Sequence, residues 1–193
     1  MIKTLRMSAA GAAIAFAALA TAATAAETET ATAEAEIVLA FTLTKDTDLD
    51  FGAIVNGAGG GTAVIATDGS VTCGGALVCH GATTAASFSV EGGTVGKRVY
   101  VDLPDTSGGP LLMVHSNAAA LIAGGTSVAA TQIQLGSFTS TTASDAIGRY
   151  VTIADDGTGV GEAGFAVGGT ATLDGSEVEG TYSTTFDVTV DYD

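Results

Sequence analysis

From residue 33 onward the chain alternates. Ala33, Ala35, Ile37, Leu39, Phe41 and Leu43 fall on odd positions, while Glu34, Glu36, Val38, Ala40, Thr42 and Thr44 fall on even ones. A period of two with one apolar face predicts a single long β-strand, because successive side chains of a strand point to opposite sides. After Lys45 the odd phase resumes at Leu49 and Phe51. The end of the chain repeats the pattern more sharply. Tyr182, Thr184, Phe186, Val188, Val190 and Tyr192 share one phase, and Ser183, Thr185, Asp187, Thr189 and Asp191 share the other. This predicts a closing strand over 182–192.

Between these two runs lie shorter strand-like stretches at 53–56, 62–67, 86–91, 97–103, 111–115, 131–138, 149–153, 163–168 and 170–174. Turn signals separate them, among them Asn56-Gly57, Asp68-Gly69, Asp156-Gly157, Gly168-Gly169 and Asp174-Gly175. Asn-Gly and Asp-Gly favour tight hairpins. Many short strands at such spacing predict an all-β sandwich. Only the alanine-rich 117–123 reads as a turn of helix.

Composition narrows the picture. The chain has 193 residues, 47% of them hydrophobic, with 27 glycines and no tryptophan. That suits one domain with a core of small and β-branched side chains. The first 25 residues stand apart. Lys3 and Arg6 precede a small, apolar run that ends at Ala23-Thr24-Ala25, the pattern of a secretory signal peptide too short for a membrane anchor. Cleavage is expected to leave Ala26 or Glu27 first. The expected organisation is therefore a signal peptide at 1–25, an acidic extension at 26–35 and a single β-sandwich domain at 36–193. The extension, part of the low-complexity ETETATAEAE at 27–36, is expected to stay flexible until something pairs with it.

The full chain carries a formal charge of −15. Beyond residue 25 only Lys45, Lys97, Arg98 and Arg149 are basic. Phosphate-backbone binding needs clustered cations, so nucleic acid is not expected as a partner. No later stretch of roughly 18 apolar residues exists to span a membrane. In an oxidising compartment Cys73 and Cys79 are expected to form a short-range disulfide that pins a hairpin or turn. With only His80 beside them they make an incomplete tetrahedral metal set.

Three candidate chemistries are weak. DTDLDFG at 46–52 places Asp46, Asp48 and Asp50 where a calcium loop begins, but Phe51 stands at the position that needs glycine and Gly57 at the position that needs glutamate. Its phase instead puts the aspartates outward and Leu49 and Phe51 inward, with Gly52 letting the chain bend. The glycine-rich NGAGGGT at 56–62 lacks the helix and the cation of a phosphate loop. His80 and His115, the only neutral-range bases, read as surface or structural groups. No nucleophile elbow is present. No catalytic residue, cofactor site or metal site is expected, and the chain is read as non-enzymatic.

Taken together, IVLAFTLTKDTDLDFGAIV (37–55), FAVGGTATL (165–173) and GTYSTTFDVTVDYD (180–193) resemble a family of exported bacterial domains catalogued as a domain of unknown function. That family is similar to the spore coat protein U domain and to chaperone–usher pilins. The resemblance covers most of residues 35–193. It implies an immunoglobulin-like sandwich at the cell surface, completed between subunits by strand donation, with related subunits and a periplasmic chaperone as partners.

Two departures from the pilin pattern matter: both cysteines lie at 73–79, and residues 27–35 offer only alanine and threonine as apolar knobs. Ile37, Leu39, Phe41 and Leu43 are then the assembly strand, with Tyr182, Phe186, Val188, Val190 and Tyr192 on the closing strand. Full burial of those four knobs stabilises by about 6–12 kcal/mol, so they are expected to be buried in their own domain or the next. The expectation is a secreted structural subunit, pilin-like or filament-forming. The alternative is a self-contained adhesin or matrix module, its calcium loop built from Asp155, Asp156 and Glu162.

Overall fold

The computed structural model describes residues 27–193, so the signal-peptide expectation lies outside the described residues. Residues 27–36 are exposed and form no helix or strand, and Ile37–Asp193 make the second compact unit. In chain order the strands are β1 (Thr42–Thr47), β2 (Ala53–Val55), β3 (Gly61–Ile65), β4 (Val71–Cys73), β5 (Val78–His80) and β6 (Ala86–Gly93). β7 (Arg98–Asp102) and β8 (Leu111–His115) follow, then one short helix, α1 (Ala118–Ala123), and a 3₁₀ turn at Ala129–Thr131. β9 (Gln132–Ser140), β10 (Ala143–Ser144), β11 (Arg149–Thr152), β12 (Ala154–Asp155), β13 (Gly161–Leu173), β14 (Tyr182–Ser183) and β15 (Thr189–Tyr192) complete the chain.

The expected all-β sandwich is what forms. A curled sheet runs β1-β6-β13-β9-β8-β14, with β3 and β12 also on β13 and β4 on β3. A second sheet runs β10-β11-β7-β15, and β2 pairs β5 separately. Every pairing within the sheets is antiparallel. The core lies between the sheets. Ala63 and Ile65 of β3, Phe88 and Val90 of β6, and Phe165 and Val167 of β13 meet Val99 and Val101 of β7, Ile153 and Val190. Most are period-two positions whose neighbours along the strand are more exposed, which is how a strand with one wet face contributes to a sandwich.

β13 organises the curled sheet. One of its edges pairs with β6 over 161–167 and with β3 over 169–173. The other pairs with β12 at 161–162 and with β9 over 167–172. The sequence divides this strand at Gly168-Gly169. The structure keeps it whole, because both glycines sit where β3, β9 and β13 crowd together. A Cβ on Gly168 would lie 2.3 Å from the Ile65 carbonyl oxygen. Opposite Gly169 the partner strand carries two residues, Ser137 and Phe138. Ser137 has φ 49°. This bulge shifts the inward phase of β9 from Ile133 and Leu135 to Phe138, which meets Phe186 at 4.9 Å between ring centroids.

Two terminal expectations are corrected. The long strand predicted from residue 33 begins only at Thr42. Thr42 pairs with Glu91, and the next partner would be Gly92, which turns away with φ +90° and leaves residue 41 and those before it without a ladder. The closing strand is also not continuous. β14 pairs with β8 in the curled sheet and β15 with β7 in the second sheet, so 184–188 crosses between them unpaired. Its inward phase survives the crossing: Phe186 and Val188 pack on the core, and Val190 is buried.

Candidate functional site

The amino end of the compact unit is where the sequence expectation and the structure part most. Phe41 and Leu43 pack against the core of their own domain, whereas Ile37 is 92% exposed and Leu39 60% exposed. The four knobs are thus divided between two environments. The backbone at Leu39 is nevertheless held. The Leu39 N–H donates to Thr94 Oγ1 at 2.7 Å, the Thr94 N–H donates to the Tyr192 hydroxyl at 2.9 Å, and that hydroxyl donates to the Leu39 carbonyl at 2.7 Å. These three bonds close a ring joining the segment, the β6–β7 turn and the last strand. Phe41 meets the Tyr192 ring edge-on at 5.1 Å. Gly93 leaves the room, since a Cβ there would lie 2.9 Å from the Tyr192 hydroxyl and 2.4 Å from Ile153 Cδ1.

The ring of bonds makes a specific prediction. Tyr192→Phe keeps the ring contact with Phe41 and deletes the hydroxyl that both accepts and donates. Leaving a part-buried N–H at Thr94 without its partner costs about 1–3 kcal/mol locally. Hydrogen exchange should then speed up over 37–41 and at Thr94, while the amides of β13 keep their protection.

The remaining sequence candidates fall in separate places. Cys73 and Cys79 are bonded, with Cα atoms 6.0 Å apart. The bond closes the short loop with the turn at Gly75-Ala76 and so ties β4 of the curled sheet to β5 of the two-stranded one. In DTDLDFG the three aspartates are exposed, Leu49 packs on the core and Phe51 is buried. Asp50 accepts the Gly52 N–H at 2.8 Å, and Gly52 turns with φ +65°. Asp46 accepts from the Ser89 hydroxyl and Asp48 pairs with Lys45.

The loop carboxylates at 155–156 are spoken for. Asp155 accepts from the N–H groups of Gly157 and Gly159, and Asp156 from those of Thr158 and Val160. The Thr158 hydroxyl and N–H hold Asp156 below the usual carboxylate range. Glu162 lies on β13, in register opposite Ala154, the residue before Asp155. His115 is buried; it accepts the Asn117 N–H at Nδ1 and donates from Nε2 to the Glu179 carbonyl, packed over Gly180. His80 is exposed on β5. No group of three or more metal-ligating side chains exists among the described residues. Among them too, no helix is long and apolar enough to cross a membrane.

One cluster escaped the sequence reading. On the outward side of the second sheet Tyr100 and Tyr150 are register partners, with ring centroids 6.0 Å apart. The Arg98 guanidinium lies 4.2 Å from the Tyr150 ring centre and bonds Asp145 at 3.1 Å. The Tyr100 hydroxyl donates to the same carboxylate at 3.0 Å. Asp145 is held below the usual carboxylate range, first by the Ile147 N–H. Burial chiefly, and then the bond to Asp145, raises the Tyr100 phenol. The available signal was aromatic residues on the outward phase of RVYV (98–101) and GRYV (148–151).

A family model described as "Domain of unknown function (DUF4402)" matches residues 41–192. The match begins at Phe41 and so takes in the domain from its first buried knob to the penultimate tyrosine. No curated protein and no solved structure matches the chain.

Proposed function

The chain belongs to the DUF4402 family of domains of unknown function, and from that premise we propose that it is a non-enzymatic structural subunit of the bacterial cell surface, pilin-like, that assembles through its amino-terminal segment. One observation carries the reading. Ile37, Val38 and Leu39 are three consecutive exposed apolar residues, 92%, 38% and 60% exposed, on backbone that pairs with no strand. A strip of this kind is what a neighbouring subunit buries by strand addition. The immunoglobulin-like comparison to pilins, export, and a periplasmic chaperone belong to the same proposal and rest on the sequence resemblance. The calcium-dependent alternative gains no support, since no group of three or more metal-ligating side chains forms among the described residues.

Assembly is the test. Native surface material should give a ladder of oligomers on unboiled denaturing gels. Deleting 26–43 should abolish the ladder, but it also removes Phe41 and Leu43 from the core. The paired substitution Ile37→Asp with Leu39→Asp is the cleaner variant, since both side chains are exposed. It should leave the thermal midpoint in place and remove the ladder. A chain that is monomeric with and without the intact segment would sink the reading.

A further inference from the structure

Two local rules of β-sheets are broken at neighbouring positions on β13, and both breaks open onto one groove. The first is electrostatic. Glu91 of β6 and Glu162 of β13 are direct cross-strand partners, and both are exposed. Like charges directly opposite destabilise a sheet. The second is Gly164. Glycine inside a strand costs stability and usually repays it by a left-handed φ or a close approach. Gly164 has neither: its φ is not positive, and a Cβ built on it would meet nothing closer than the Phe88 carbonyl at 3.7 Å. A side chain would fit there, and none is present.

The effect is to leave space. On the β9 side of β13, Glu162 is paired with Ala154, and Ala166 is bonded to Thr141 through both its N–H and its carbonyl. Between them no strand covers Gly164. The opening is a groove of about 640 Å³, lined among others by Ser89, Glu91, Tyr150, Thr152, Glu162 and Gly164. That volume is within the usual range for small-molecule sites. Tyr150 supplies an aromatic wall; the Arg98 guanidinium, held by Asp145, lies over one face of its ring and leaves the other for a ligand.

We propose that this groove binds a neutral saccharide. The carboxylates of Glu91 and Glu162 accept hydrogen bonds from sugar hydroxyls, the hydroxyls of Ser89 and Thr152 add two-way partners, and the C–H face of a sugar ring stacks on Tyr150. The two glutamates and the acidity of the whole chain repel anionic ligands. A polar lining of this density does not suit a purely apolar ligand. A structural role for the glutamate pair predicts that removing one charge only improves the fold; a binding role predicts that the same change costs affinity. Glu162→Gln therefore separates the two.

The chain has no tryptophan and four tyrosines, so its emission is tyrosine emission, to which Tyr150 contributes. The full-length protein is titrated with neutral oligomers of β-1,4-glucose, β-1,4-N-acetylglucosamine and α-1,4-glucose, and with deacetylated β-1,4-glucosamine as a cationic control. At least one neutral oligomer should bind with a dissociation constant of about 1 mM or tighter. Glu162→Gln and Gly164→Thr, which fills the groove, should each weaken that binding at least about tenfold, with a thermal midpoint equal to or above the parent's. No response to any neutral oligomer at about 10 mM overturns the proposal. So does binding that both variants retain, or binding by the deacetylated oligomer alone. Neither variant touches residues 37–43, so the outcome is independent of the assembly reading.

Discussion

Phe51→Asp should leave the protein unfolded. Phe51 is 6% exposed and belongs to the central core cluster. Truncating a buried phenylalanine alone costs about 3–5 kcal/mol. The aspartate adds a charge with no cation to meet it, and burying an unpaired carboxylate costs several kcal/mol more or forces the group to take up a proton. The sum is comparable to the roughly 5–15 kcal/mol that holds a whole domain. Far-ultraviolet circular dichroism at neutral pH should show loss of the β signal, and urea titration should show no cooperative transition. Asp48→Asn, three residues away, should change the unfolding free energy from urea titration by less than about 0.5 kcal/mol, since Asp48 is exposed and its pairing with Lys45 is a surface one. Equal effects from the two substitutions would overturn the register assigned to 46–52.

Gly168→Ala is the second large effect, and its contrast is on the same strand. The added methyl group would lie 2.3 Å from the Ile65 carbonyl oxygen, 2.9 Å from Thr139 Oγ1 and 3.1 Å from the Ala66 carbonyl carbon. Two of these are backbone atoms, which no rotamer change removes. To make room, β3 must shift away from β13, and β3 carries Ala63 and Ile65, both fully buried. Overpacking of this kind costs about 1–3 kcal/mol, and lost ladder bonds add to it. Gly164→Ala, where the new methyl group meets only ordinary contact, should be neutral or stabilising by about 0.4–1 kcal/mol. Urea midpoints of the two variants should therefore move in opposite directions. A Gly168→Ala variant as stable as the parent would show that β3 and β13 are not so closely apposed.

How much of this was visible in the sequence depends on what kind of fact is asked for. Side-chain phase was legible wherever an apolar face exists: Leu43, Leu49 and Phe51 at one end, and Tyr182 through Tyr192 at the other, all point as the alternation says. Pairing was not legible, because alternation tells which way a side chain points and nothing about which neighbour supplies hydrogen bonds. That is why a run that alternates from residue 33 forms a ladder only from Thr42, where β6 is still alongside. It is also why one continuous pattern at 182–192 serves two sheets. Gly168-Gly169 imitates a turn in composition, yet it marks a close crossing inside the curled sheet. The bulge at Ser137 leaves no mark, since serine is not a residue that advertises a left-handed φ.

The candidate sites divide in the same way. Tyr192 was singled out as part of the closing strand, and the structure adds the two bonds that its hydroxyl makes. The groove could not be found, because Glu91 and Glu162 lie far apart in sequence and become neighbours only once the β6–β13 register is known. Gly164 likewise looks like any of the 27 glycines until the space around it is measured.

The hydrogen bond between Tyr192 and Leu39 spans 153 residues of chain. No shorter piece that stops before Tyr192 can make it. Closing so long a loop carries the largest entropic cost of any contact in the ring, and non-local pairing of this kind slows folding. As the chain emerges from the ribosome, amino end first, Leu39 waits for a partner that lies 153 residues further on. Throughout synthesis, and throughout any passage as an unfolded thread, the apolar strip at 37–39 is unanchored. The ring of bonds at Leu39 can therefore close only once Tyr192 has been made, 153 residues later.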